Sequence, residues 1–542
     1  MAAILIRGGE IIDGTGAEEF EGHLLIEGDR IKDILKKGDE PPPTDEAIDA
    51  TGCVVSPGFI DMHSHSDWVL SLDDHPELMK CFLEQGVTTV VAGNCGFSPA
   101  PINVNSLEQM SLLDILLERP LDFSWKSMGE FLDRVDEGEP VLNMAELVGH
   151  AGVRLAGADT RRGAMTPEEL DHCLDETRRS LDEGACGLSL GLMYDPGVYS
   201  PLDEIEAFCR VAGEADKPVT VHLKALSVLS QTYPLTTLKA HNILALQEMI
   251  DIARKTGAKL QLSHFIFVGR RSWSSAPKAI KMVEQARREG VDVMIDGFPY
   301  TSGNTTVNVL LPYWFLAKIP DSYRNKWDRA KVRAELEVGF RLVGFMYKDF
   351  QVMDAAIEGM EELNGMTVDR IAEKWNTGPF DALLKLSEQS RGETLMLFHT
   401  YSGEPGKEQA LEMVLSNDLC LFETDAAVKS RGYPNPAAMG AFPRVLGVYS
   451  RERKLFSIEN AIHRMTLASA ERFRLADRGL IAKDKAADVV VFDPKTISDT
   501  PPVGTQPAGK PKGIKHVFLN GAHVVKDGSY VQGSRPGRVL RV

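Results

Sequence analysis

From residue 58 to residue 422 short β-type runs alternate with amphipathic helical stretches, and this alternation constrains the fold more than any other feature. Candidate strands lie at 58–63, 88–92, 144–148, 187–192, 219–223, 259–263, 291–295, 395–399 and 419–422. The helix expected over 166–183 opens Thr166-Pro167-Glu168-Glu169, a capping residue followed by proline at the first helical position. Repeated β-α units over such a span favour a (β/α)8, TIM-like barrel over an open doubly wound sheet. Nine candidates compete for eight positions, so either 291–295 or 395–399 lies outside the barrel. The charged, largely helical stretch around 321–392 reads as an insertion. Both chain ends carry β-type runs between Gly-containing turns: 3–6, 23–27 and 30–34 at the start, 487–492, 514–519 and 522–525 at the finish. These predict a small β-sandwich domain built from 1–55 plus 476–542, enclosing a barrel over 56–475.

Composition narrows the function classes. With 60 Lys+Arg against 78 Asp+Glu, the formal charge of −18 argues against nucleic-acid binding, since a phosphate backbone is drawn to basic surface. No apolar run reaches the roughly 18–20 residues of a membrane span. The chain starts Met1-Ala-Ala-Ile-Leu without a basic segment leading into a long apolar one, so no signal peptide and a cytoplasmic location are expected. The 7 cysteines show no CxxC spacing, and six of them fall in apolar or helical contexts that suit buried reduced thiols. Cys95 stands apart.

The segment Pro57-Gly-Phe-Ile-Asp-Met-His63-Ser-His65-Ser-Asp67 carries the first chemical signal. Residues i and i+2 of a strand point to one face, so His63 and His65 aim at a common point. They sit where a strand yields to a loop, the functional rim of a barrel, and paired neutral imidazoles suit a zinc-type ion. Four further strand ends supply matching donors: Cys95, His222, His264 and Asp425. Each taken alone fits a structural role: a buried thiol, hydrogen-bonded histidines, a capping aspartate. Together, at the same end of a barrel, they describe a metal centre.

With these residues in view, the chain resembles the metal-dependent amidohydrolases and, within them, the N-acyl-D-amino-acid deacylases, or D-aminoacylases. The resemblance covers almost the whole chain, through Leu5-Ile-Arg-Gly-Gly-Glu-Ile-Ile-Asp-Gly-Thr-Gly16, Gly93-Asn-Cys-Gly-Phe-Ser98, Gly191-Leu-Met-Tyr-Asp-Pro-Gly197, Pro299-Tyr-Thr-Ser-Gly303, Phe442-Pro-Arg-Val-Leu-Gly447 and Arg535-Pro-Gly-Arg-Val-Leu540. Many amidohydrolases bridge two metals with a carbamylated lysine on the fourth strand, but 187–194 contains none. The deacylase pattern uses a second-strand cysteine instead. The resemblance therefore implies one tight zinc on Cys95, His222 and His264, and a second, weaker position lined by His63, His65 and Asp425. It also implies attack by a metal-bound hydroxide, because zinc brings the pKa of its water to about 7. Asp425 would serve as general base and then acid, and Tyr194 as oxyanion donor.

Departures from the pattern bear on the substrate, which is expected to be a small-molecule amide. The deacylases follow the sixth-strand histidine with His and Lys, where this chain has Phe265 and Ile266. Their arginine before the Phe-Pro-Arg segment falls in a stretch reading Asn435-Pro-Ala437-Ala438. Tyr300 is retained, and Thr305 or Thr306 stands where a serine is expected. Both missing basic residues would hold a substrate carboxylate, and a carboxylate is penalised by desolvation in a pocket without a cation. Lys224, Arg270, Arg271, Lys429 and Arg431 are the candidate substitutes. Two enzyme readings follow: an N-acyl-D-amino-acid deacylase, or a relative acting on a neutral or apolar linear or cyclic amide. A third, a non-catalytic assembly protein of the same fold, fits less well, because all six ligand positions are filled.

Overall fold

The computed structural model describes residues 3–103, 116–158, 163–234 and 236–542. Eight parallel strands form the central sheet: Phe59–Asp61, Val87–Ala92, Asn143–Gly149, Gly187–Gly191, Pro218–His222, Lys259–Leu262, Val293–Gly297 and Cys420–Phe422, each paired with the next in chain order. The first and last are joined by a parallel bridge between Ser64 and Ala426 and by Asp61, whose carboxylate accepts from Thr424 N at 2.9 Å and Thr424 Oγ1 at 2.6 Å. This closes a TIM barrel. Strands such as Val87–Ala92 are buried along their whole length, as expected where helices cover the outside and side chains fill the inside. The expected cap on the helix Pro167–Asp182 forms: Thr166 Oγ1 accepts from Glu169 N at 3.2 Å and Thr166 N donates to Glu169 Oε2 at 2.8 Å.

The competition for eight barrel positions is settled by pairing. Val293–Gly297 is the seventh barrel strand, whereas Leu395–His399 is the middle strand of a separate antiparallel sheet with Ser302–Thr306 and Phe350–Asp354. That sheet and the helices around it, including Lys326–Val343 and Pro379–Gln389, lie between the last two barrel strands in sequence. Its two faces have different partners, as period-2 alternation requires. Phe350, Val352, Met396 and Phe398 build a core of their own with Phe340 and the helices. Met353, Leu395 and Leu397 pack with Trp68, Cys95, Phe97 and Tyr433, beside the barrel rim.

The chain ends meet in one nine-stranded sheet. Ala3–Ile11 pairs with Phe20–Glu27 and with Val54–Pro57, and Val54–Pro57 pairs in turn with Val489–Phe492 from the far end of the sequence. Ile4, Ile6, Leu24, Ile26, Val55, Val489, Val491 and Phe518 form its core.

Candidate metal centre

The six candidate ligands all sit at the C-terminal ends of barrel strands: His63 and His65 after the first, Cys95 after the second, His222 at the end of the fifth, His264 after the sixth, Asp425 after the eighth. All are buried except Asp425, whose side chain is 20% exposed. Cys95, His264 and Asp425 have φ of +56°, +31° and +48°. Left-handed backbone at non-glycine residues is costly and collects at functional sites. The turn carrying Cys95 is held by close backbone approach: a Cβ on Gly191 would fall 1.9 Å from the Cys95 carbonyl oxygen, so only glycine fits there.

The donor atoms converge. Cys95 Sγ lies 3.5 Å from His63 Nε2, 3.7 Å from His222 Nδ1 and 3.4 Å from His264 Nε2. Asp425 Oδ1 lies 3.5 Å from both His63 Nε2 and His65 Nε2. A tetrahedral ion with metal–sulfur and metal–nitrogen bonds of about 2.3 and 2.1 Å separates those ligand atoms by about 3.6 Å. The observed spacing fits ligands around such an ion. Among the described residues three groups form, Cys95–His222–His264, His63–His65–Cys95–Asp425 and His63–Asp296–Glu423, with Cys95 common to the first two and all donor atoms of a group within 4.8 Å of one another.

Electrostatics within the protein alone match a centre that needs a cation. Burial, reinforced by the charges of Asp425 and Asp296, pushes the Cys95 thiol well above its usual range. Burial likewise drives His222 well below the ordinary imidazole value, with His264 adding to the effect. Burial opposes ionisation of Asp425, but His264, His65 and His63 outweigh it and hold the carboxyl below the usual carboxylate range. A buried thiolate needs a nearby positive charge, and a zinc-type ion suits this donor set of sulfur, imidazole and carboxylate.

Tyr194 follows the fourth strand, with its ring centroid 4.5 Å from that of His222 and 5.7 Å from that of Phe97. Burial holds its hydroxyl protonated, well above the usual phenol range. The expected substrate contacts are less uniform. Phe265 and Ile266 are buried beside His264, with Phe265 edge-on to Phe267 at 5.5 Å. Ala437 lies in the first turn of Pro436–Arg444, where Asn435 caps Ala437 N at 3.0 Å and donates to Asn304 Oδ1 at 2.7 Å. Thr306 closes the strand paired with Leu395 and is buried. The Tyr300 hydroxyl is already engaged: it donates to Asp499 Oδ2 at 3.1 Å, with the Arg444 guanidinium 4.9 Å above its ring.

Several cations proposed as carboxylate clamps have other partners. Arg270 pairs with Asp349 at 2.7 Å and Glu404 at 2.8 Å, Arg431 pairs with Asp354 at 2.8 Å, and Lys429 donates to the Leu117 carbonyl. Lys224 lies 5.6 Å above the ring of Tyr233. His150 is held by Glu204 at 3.1 Å, and His399 by Gln351 at 2.9 Å. Sequence reasoning missed the carboxylates behind the ligands, Asp61, Asp296 and Glu423. Their signal is an acid inside an apolar run, as in Val293-Met-Ile-Asp296 and Leu421-Phe-Glu423.

The fold and the cluster of metal-ligating side chains suit a metal-binding enzyme, and the amidohydrolase family matches residues 46–313 and 402–531, so the chain belongs to that family and is a hydrolase of carbon–nitrogen bonds other than peptide bonds. The gap between the matched segments contains most of the added antiparallel sheet and its helices. The N-acyl-D-glutamate deacylase of Alcaligenes xylosoxydans xylosoxydans is 30% identical over 541 residues, covering 99% of this chain and 96% of that protein. The crystal structure of the N-acyl-D-glutamate deacylase from Bordetella bronchiseptica, complexed with zinc and a phosphonate mimic of the tetrahedral intermediate, superposes with a TM-score of 0.82 at 30% identity, covering 100% of each chain. A D-aminoacylase with a binuclear metal centre superposes with a TM-score of 0.81 at 27% identity, again over 100% of each chain. Among the described residues no helix is long and apolar enough to cross a membrane.

Proposed function

We propose that the protein is a zinc-dependent deacylase that hydrolyses the amide of an N-acylated small molecule of the N-acyl-D-amino-acid kind. The observation that carries this reading is the convergence of the imidazole nitrogens of His63, His222 and His264 on Cys95 Sγ at 3.4–3.7 Å, with the Asp425 carboxylate 3.5 Å from His63 and from His65. Cys95, His222 and His264 would hold the tight ion, and His63, His65 and Asp425 a second one. Such an ion supplies Lewis acidity that polarises a carbonyl and acidifies water. Asp425, ionised and partly exposed, accepts the proton of the attacking water and returns it to the leaving nitrogen. Tyr194, kept protonated beside His222, donates to the carbonyl oxygen as negative charge develops there.

A second reading concerns the substrate. Buried Phe265, Ile266 and Ala437, with Arg270 committed to Asp349 and Glu404, favour an amide without a free α-carboxylate. A panel of N-acyl-D-amino acids, N-acyl-L-amino acids and carboxylate-free amides decides between the two. Hydrolysis confined to free acids removes the neutral-substrate reading. Failure to turn over any amide while zinc is bound removes the deacylase reading itself.

A further inference from the structure

The four histidines of the centre differ in what stands behind them. His65 Nδ1, His222 Nε2 and His264 Nδ1, the nitrogens turned away from the cluster, have no hydrogen-bond partner among the described residues. His63 Nδ1 makes no well-directed hydrogen bond either, but it faces two carboxyls, Glu423 Oε2 at 3.1 Å and Asp296 Oδ1 at 3.5 Å. All three side chains are fully buried. Asp296 is fixed in place, accepting from Gln261 Nε2 at 2.7 Å and from His264 N at 2.6 Å, so one carboxylate braces the ring of His63 and the backbone of His264. Glu423 and Asp425 approach the same imidazole from opposite edges, Glu423 at Nδ1 and Asp425 at Nε2. Asp61 pins the residue between them, Thr424, to the first strand.

Burying a carboxyl is costly unless it is compensated, and neither Glu423 oxygen makes a well-directed hydrogen bond to another described residue. An imidazole that ligates through one nitrogen carries its proton on the other, and an acceptor at the second nitrogen fixes both tautomer and ring plane. We infer that Glu423, acting with Asp296, is a positioning residue that holds His63 with Nε2 presented to Asp425 and Cys95, and so sets the affinity of the second metal position without governing the tight one. This rests on the ligand assignment proposed above.

Cobalt titration of the metal-stripped chain tests it, because the thiolate-to-cobalt charge-transfer band that grows in with the first equivalent reports the tight site and total bound cobalt reports both sites. In E423L, and to a lesser degree in E423Q, the charge-transfer band should saturate at the same cobalt concentration as in the unaltered chain. Uptake of the second equivalent should weaken by about 10-fold or more, as for other partners of metal-bound histidines. Uptake of both equivalents as in the unaltered protein overturns the proposal. So does parallel weakening of both in E423Q, which would mark a structural role, and so does an unaltered chain that never takes a second equivalent. Absence of the thiolate band from the unaltered chain would instead sink the ligand assignment itself. If E423L fails to fold, E423Q carries the test.

Discussion

Asp425 joins three constraints in one residue. Its φ of +48° is unfavourable for a side-chain-bearing residue, its N–H donates to the His63 carbonyl at 3.0 Å, and its carboxylate reaches two imidazoles. Asparagine keeps the shape and tolerates left-handed backbone but cannot take up a proton. Asp425→Asn should therefore lower kcat by about 10²–10⁴-fold while zinc per chain at the Cys95 site stays at the unaltered level, measured by steady-state kinetics and metal analysis on the same preparation. Retained activity would remove Asp425 from proton transfer. Cys95→Ala should show the converse, loss of the tight zinc at a folded secondary structure, because Sγ is common to both ligand groups. Tyr194→Phe removes one donor without altering the ring packing on Phe97 and His222. Its kcat should fall by about 10²–10³-fold with KM little changed.

At the scale of elements, the rim geometry depends on how closely strand ends and turns approach. Gly191 closes the fourth strand against the Cys95 turn, and the 1.9 Å that a Cβ would leave to the Cys95 carbonyl cannot be relieved by a flexible side chain, since the obstacle is backbone. Gly191→Ala should displace the Cys95 turn and weaken zinc binding, at a cost of about 1–3 kcal/mol in stability. Weakened uptake in a titration, with a lowered unfolding midpoint, is the expected pair of results. The candidate ligands that the structure brings together were legible in sequence because each is a chemistry-bearing residue at the end of an apolar β run, with His63 and His65 at the two-residue spacing of one strand face. The supporting acids were less so. Glu423 inside Leu421-Phe-Glu423 announces a buried carboxyl, but the imidazole it meets lies 360 residues earlier, a contact that only barrel closure creates. Pairing partners were hidden too: 395–399 has the apolar content of a barrel strand, and the antiparallel neighbours Ser302–Thr306 and Phe350–Asp354 alone place it elsewhere.

At the scale of the whole molecule, the end of the barrel opposite the metal centre is closed by the chain's last residues. Gly537 N donates to Pro140 O at 2.9 Å, Leu540 N to Met144 O at 2.7 Å and Val542 N to Gly184 O at 3.2 Å, which places 537–542 against the starts of the third and fourth strands. Lys217, at the start of the fifth, donates to the main-chain oxygens of Leu181, Ala185 and Val542. Leu540 and Val542 pack against the lower barrel core of Ile60, Val91, Ala145 and Leu147. In a barrel this end serves stability and the opposite rim serves chemistry. Deleting 537–542 should therefore uncover three apolar side chains, Val539, Leu540 and Val542, worth about 1.5–3 kcal/mol each when fully buried and less here because all three are partly exposed, and leave one fewer main-chain oxygen around Lys217. The thermal midpoint should fall while zinc per chain and kcat/KM at ambient temperature stay at the full-length level. Loss of zinc in step with stability would show that the two ends of the barrel are mechanically joined through the strands, and that the tail supports the metal site as well as the fold.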